Sequence, residues 1–201
     1  MPWEKSFDTD LALSKAMKVF WSKGYDATSM TDLTKAMQIN KGSLYNAFGG
    51  KRPLFVKAIL KYDLENRRET LAQLEAQDDP ITALGTMFDG LIKQSLSDKE
   101  KKGCLLVNTA LELPRHDAET RAIVTSGLQD FEDFFRRGVE IAQKRGQVTA
   151  TINAQSAAKG LMALVVGLRV LARGVFDESG LWAIKHQAMR LLGLPEPKQN
   201  P

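Results

Sequence analysis

Apolar residues recur three and four apart along almost the whole chain, the spacing of helical stripes that face a core, and nowhere alternate as half-buried strands would. Leu11, Leu13, Ala16, Met17, Val19 and Phe20 predict a helix over about 9–23. Asp8 or Thr9 can cap its start, and Gly24 can end it. A short link then leads to two brief helices, 30–37 and 41–48. Thr28 and Ser29 offer capping hydroxyls to the first, and Asn40 caps the second. Leu33, Ala36 and Met37 face inward from one, and Leu44, Ala47 and Phe48 from the other. Gly49-Gly50 breaks the pattern. Lys51 opens a long helix to about Gln77, with Pro53 tolerated in its first turn.

The same periodicity continues over about 80–96, 104–113, 117–145, 153–174 and 177–192, with charged, glycine- or proline-bearing breaks between. The predicted fold is all-α, with about nine helices. An N-terminal three-helix domain is expected over 1–51 and a larger helical body over 52–194. The tail, 195–201, is polar and proline-bearing, and is expected to lack fixed structure.

Two short helices joined by a tight turn form a helix-turn-helix, whose second helix can lie in the DNA major groove. The inward stripe leaves Lys41, Ser43, Tyr45 and Asn46 on the other faces. Helix N-termini present N–H groups suited to phosphate oxygens. The Tyr45 and Thr28 hydroxyls can donate to phosphate and fix register. Lys41 can reach a guanine edge or a phosphate, Gly42 permits close approach, and Ser43 and Asn46 can read base edges. Charge agrees with this: residues 1–61 hold ten Lys or Arg against five acids, a net +5 in a chain whose total is +4. A basic end on a near-neutral body suits an anionic partner.

Other chemistry is sparse. Without an apolar run of about 18 residues, no membrane span is expected, and MPWEKSFDTD lacks a signal-peptide core. A single cysteine allows no internal disulfide and fits a reducing compartment, so the expected location is cytoplasmic. Cys104 follows Gly103 and the basic Lys99, Lys101 and Lys102, so an electrophile- or oxidant-sensing thiol is one reading; a structural cysteine in an apolar helix is the other. Cys104, Glu112 and His116 lack the close spacing of a metal set, and Gly49-Gly50-Lys51 lacks the phosphate-loop pattern. No catalytic set, metal or cofactor is expected.

The string TSMTDLTKAMQINKGSLYNAFGGKRPL, preceded by Ala16, Phe20 and Gly24, resembles the N-terminal domain of the tetracycline-repressor (TetR) family over about residues 9–60. GCLLVNTALE is similar to the start of a core helix in one branch of it. The resemblance implies a homodimeric repressor, bound to a palindromic operator and released by a small molecule that enters the body. It implies DNA contacts from Lys41, Gly42, Ser43, Tyr45 and Asn46, phosphate contacts from Thr28 and Ser29, and a phosphate clamp at Lys51. The chain departs from the family's pattern at Gln38, where many relatives have glycine, and at Ala47, where many have histidine.

Met87, Phe88, Phe131, Phe135 and Met162 are the residues expected to line a ligand cavity. Leu161, Leu164, Val165 and Leu168, on a helix dense in small residues, are expected at the dimer surface. The competing expectation is an all-α enzyme or small-molecule carrier with an incidental helical hairpin.

Overall fold

The computed structural model describes residues 7–195; residues 1–6 and most of the expected tail, 196–201, lie outside them. Among the described residues every regular element is helical: α1 (Thr9–Lys23), α2 (Met30–Met37), α3 (Lys41–Phe48), α4 (Lys51–Asp63), α5 (Glu69–Glu75), α6 (Pro80–Ser97), α7 (Leu105–Leu111), α8 (Ala118–Lys144), α9 (Ala154–Leu171) and α10 (Glu178–Leu191). A π-helical turn, Leu64–Arg68, joins α4 to α5. Counted as one helix, that stretch makes nine.

The chain forms two compact units. One takes the chain up to Arg68 together with Cys104–Thr125, and the other takes Glu69–Gly103 with the chain from Ser126 on. The boundary expected at residue 51 differs, for two physical reasons. Leu54, Phe55, Ala58 and Ile59 of α4 are buried, and Phe55 meets Phe20 of α1 edge-on at 4.9 Å. α4 therefore completes the N-terminal core. A later segment, holding α7 and the first turns of α8, belongs to the same unit, and a linear boundary cannot express such a return.

In the first unit, Asp8 caps α1 by accepting from the Asp10 and Leu11 N–H groups at 2.9 and 3.1 Å. Ala16, Phe20, Leu33, Leu44, Leu54 and Ile59 are sealed from solvent. Each of the leucine, isoleucine and phenylalanine side chains contributes about 1.5–3 kcal/mol of burial. At the π-turn the buried Arg67 guanidinium pairs with buried Asp63, so neither charge stands alone.

The second unit has its own core, drawn from Leu84, Phe88, Ile92, Phe135, Val139, Ala158, Leu161 and Leu168. Buried Arg169 donates to the Ser95 hydroxyl and to the Gly103 carbonyl, both at 2.9 Å, and so ties the end of the 98–103 loop to α9. The α9 helix is, by length and a mean hydropathy of 1.3, apolar enough to cross a membrane, which the absence of a long apolar run did not lead one to expect. Its apolar residues have another use, since Ala157, Ala158, Leu161, Val165 and Leu168 fill the core.

Candidate nucleic-acid interface

The helix-turn-helix is held by its caps. Ser29 accepts the Asp32 N–H at 3.0 Å, while Asp32 accepts the Ser29 N–H at 3.0 Å and its hydroxyl at 2.7 Å, forming a reciprocal capping box. Lys23 reaches the same carboxylate at 2.6 Å. The Lys23 ammonium, then the Ser29 N–H and hydroxyl, hold Asp32 well below the usual carboxylate range. Asn40 caps α3 by accepting the Ser43 N–H at 2.8 Å.

Between the helices Gln38 adopts φ 59° and ψ 39°, the left-handed region that glycine enters at no steric cost. Its side-chain carbonyl accepts from Lys15 at 2.8 Å. The departure at Gln38 therefore leaves the turn intact and places a strained residue in it.

The exposed arc of α3 is Lys41, Gly42, Tyr45 and Asn46, one continuous face of two turns. Tyr45 is 48% exposed. The opposite arc, Ser43, Leu44 and Phe48, is buried, with Ala47 between. A Cβ on Gly50 would stand 3.3 Å from the Tyr45 ring, so the absent side chain leaves Tyr45 its place. Lys51 is half-exposed at the first position of α4, and Gly50 before it offers no capping side chain. The Lys51 ammonium stands 4.4 Å over the Tyr25 ring and donates to the Asp26 carbonyl at 3.5 Å.

Two expected DNA contacts are corrected by this geometry. Thr28 is 1% exposed, and its hydroxyl donates to the Gly24 carbonyl at 2.6 Å. It fastens the link before α2 and has no open path to a phosphate. Ser43 is 6% exposed and lies on the inward arc. It sits one turn before Ala47, which the stripe already placed inside, so the spacing held the signal. Ser29 is exposed, but its hydroxyl proton is already given to Asp32.

Elsewhere, Cys104 is half-buried at the first position before α7 and makes no capping bond. The second unit contains a cavity of about 390 Å³, lined by Leu74, Pro80, Phe134, Arg137, Ile141 and Arg145 among others. None of Met87, Phe88, Phe131, Phe135 and Met162 lines it. Met87, Phe88 and Phe135 are buried in the core, and Phe131 and Met162 pack on its edge.

Leu161, Val165 and Leu168 are likewise buried within the chain, so their area is not available to a second copy; Leu164 is half-exposed. The outward face of α9 runs instead through Ala163, Val166, Gly167 and Val170. Gly160, part of the small-residue pattern, serves the chain itself: a Cβ there would stand 2.7 Å from Leu191.

Residues 12–58 match the model of the tetR family of bacterial regulatory proteins, and residues 80–182 match that of a tetracyclin repressor-like C-terminal domain. The chain is 31% identical to an uncharacterized HTH-type transcriptional regulator, YezE, of Bacillus subtilis, over 72% of this chain and 74% of that protein. It is 28% identical to the HTH-type transcriptional repressor ComR of Escherichia coli, over 93% and 90% of the two. Among solved structures it resembles a cysteine-substituted TetR-family regulator, CifR, complexed with 26-base-pair double-strand operator DNA. That likeness has a TM-score of 0.80 and 28% identity, covering 92% of this chain and 96% of the other.

Proposed function

This chain belongs to the tetR family of bacterial regulatory proteins, and on that premise we propose that it is a transcriptional repressor, a homodimer that holds a palindromic operator through α3 and releases it when a small molecule enters its second unit. The observation that carries the reading is the division of α3. Lys41, Gly42, Tyr45 and Asn46 form one exposed face, while Leu44 and Phe48 anchor the other in the core. A short helix fixed along one side by packing presents the opposite side in a set orientation, which base reading requires. Tyr45 and Lys51 contact phosphate and set register; Lys41 and Asn46 meet base edges.

The outward face of α9, Ala163 to Val170, is the surface we assign to the second copy, since its small side chains permit close helix packing. The effector site we assign is the cavity bounded by Leu74, Phe134 and Arg145. An effector that binds better when the two recognition helices are misplaced shifts the population off the DNA. Major-groove half-sites about 34–36 Å apart leave little tolerance. Such a repressor acts in the cytoplasm, where its operator is.

A gel shift against DNA from upstream of the chain's own coding sequence, at two salt concentrations, tests the reading. Salt-sensitive binding of one segment supports it. A carrier or enzyme would bind no segment preferentially and give no salt dependence. Ala163→Arg should yield monomers in sedimentation and lose the shift; an unchanged dimer would reject the α9 surface.

A second reading is favoured by the place of Cys104, half-exposed at the start of α7. There the releasing signal is oxidation or alkylation of its thiol. If the Cys104→Ser variant still leaves the operator when treated with mild oxidant, that reading is wrong.

A further inference from the structure

The corner that joins α7 to α8 touches the start of α4 twice. The buried His116 ring stacks on Phe55, with centroids 5.6 Å apart and planes 22° apart, and meets Tyr25 edge-on at 5.7 Å. Tyr25 also leans on Phe55, at 4.8 Å. Its ring is thus packed against Phe55 and His116, and Lys51 stands 4.4 Å over it. The other contact of the Lys51 ammonium, the Asp26 carbonyl at 3.5 Å, is at the outer limit of a hydrogen bond. The aromatic ring is therefore the main fixture for that charge.

Asp117, the next residue, pairs with Arg52 at 3.1 Å. It also caps α8, accepting the Thr120 N–H and hydroxyl, each at 3.0 Å. Arg121 donates back to the His116 carbonyl, which closes the corner on itself.

We propose that His116 and Asp117 are positioning residues for the phosphate contact at the start of α4, His116 by propping the Tyr25 ring that holds Lys51, Asp117 by keeping Arg52 off the phosphate. The proposal rests on the DNA reading above. It assigns the strength of the clamp to a segment that enters the unit late in the chain, well outside the helix-turn-helix. The two residues act with opposite signs. Loss of His116 lets the ring shift and frees Lys51 to wander, so a phosphate contact is lost. Loss of the Asp117 charge releases Arg52, so one is gained. A corner that only stabilised the fold would weaken binding in both cases.

The test is the salt dependence of binding, with the full chain and duplex DNA from upstream of its own coding sequence. Asp117→Asn keeps a good helix cap, since asparagine serves as well as aspartate there. It should make the slope of log K against log salt steeper by about 0.9 per protomer. Between 50 and 200 mM salt that is a further loss of about 3.5-fold per protomer relative to the parent. His116→Ala should make the slope shallower by about 0.9 and match Lys51→Ala. Combining the two should add nothing, and His116→Phe should restore the parent slope.

If His116→Ala weakens binding at the parental slope and adds fully to Lys51→Ala, the histidine only stabilises the fold. If Asp117→Asn leaves the slope unchanged, Arg52 is not withheld. Should His116→Ala fail to fold, the Asp117→Asn and His116→Phe slopes decide. A parent chain with no salt-dependent binding overturns the DNA reading itself, and the corner's role with it.

Discussion

Replacing Thr28 by valine separates a structural hydroxyl from a DNA-contacting one. Valine keeps the branched shape and removes only the donor. The hydroxyl is sealed from solvent and donates to the Gly24 carbonyl at 2.6 Å, and the Thr28 N–H donates to the Tyr25 carbonyl at 3.2 Å. These two bonds fold the link between α1 and α2 and set where Ser29 begins its cap. A buried hydrogen bond of this kind is worth about 1 kcal/mol net, and a carbonyl left unpaired costs about 1–3 kcal/mol. The expected loss is therefore about 1–2 kcal/mol, or roughly 2–8 °C in midpoint for a chain of this size. Thermal unfolding measures that, and operator binding at two salts supplies the second readout. The salt slope should be unchanged, because no phosphate contact is removed. A slope shallower by about 0.9 with the midpoint unmoved would refute the assignment and return Thr28 to the interface.

Gln38→Gly should raise stability by up to about 1.5 kcal/mol in denaturant unfolding. Left-handed strain costs roughly 1–2 kcal/mol, and glycine's extra chain entropy offsets about 0.5–1 of it; a destabilised variant would mean the bond to Lys15 outweighs the strain. Asp32 has a depressed folded-state pKa, held there chiefly by Lys23, so its contribution is full above its unfolded value near 3.9 and is lost as pH falls through the folded value. The stability gap between parent and Asp32→Asn should stay constant above about pH 5 and narrow only below pH 4; a gap that closes near neutrality would mean another group governs the cap. Gly50→Ala, strained at φ 123° and crowding Tyr45, should weaken operator binding more than Gly49→Ala, whose Cβ would meet only Pro53 at 3.5 Å; equal effects would count against Tyr45 as a contact.

The helix-turn-helix was legible almost to the residue, because its ends are written in local chemistry. Asp8, Ser29 and Asn40 cap as their side chains dictate, and Gly24 and Gly49 take positive φ. Faces were less legible than ends. The exposed arc of α3 follows from Leu44 and Phe48, but Ser43 was misplaced because a polar residue was read as an outward one. Its position a turn before Ala47 outweighs its hydroxyl.

The body aromatics show the same difficulty: Phe88 and Phe135 pack on each other with centroids 6.1 Å apart, and periodicity alone does not separate a side chain that fills the core from one that lines a cavity. The Leu161, Val165 and Leu168 stripe was correctly apolar, but an apolar stripe does not say which surface covers it. Least legible was the return of Cys104–Thr125 to the first unit, since no spacing within either segment encodes that Phe55 and His116 will stack.

The central claim is that the exposed arc of α3 reads a two-fold operator. Selection of the full-length chain against a pool of randomised duplex DNA tests it most directly, with Asn46→Ala run in parallel. The account predicts enrichment of an inverted repeat by the parent, and a changed preference at specific positions of each half-site for Asn46→Ala. Enrichment of no motif by the parent, or an identical motif bound uniformly more weakly by Asn46→Ala, would contradict it.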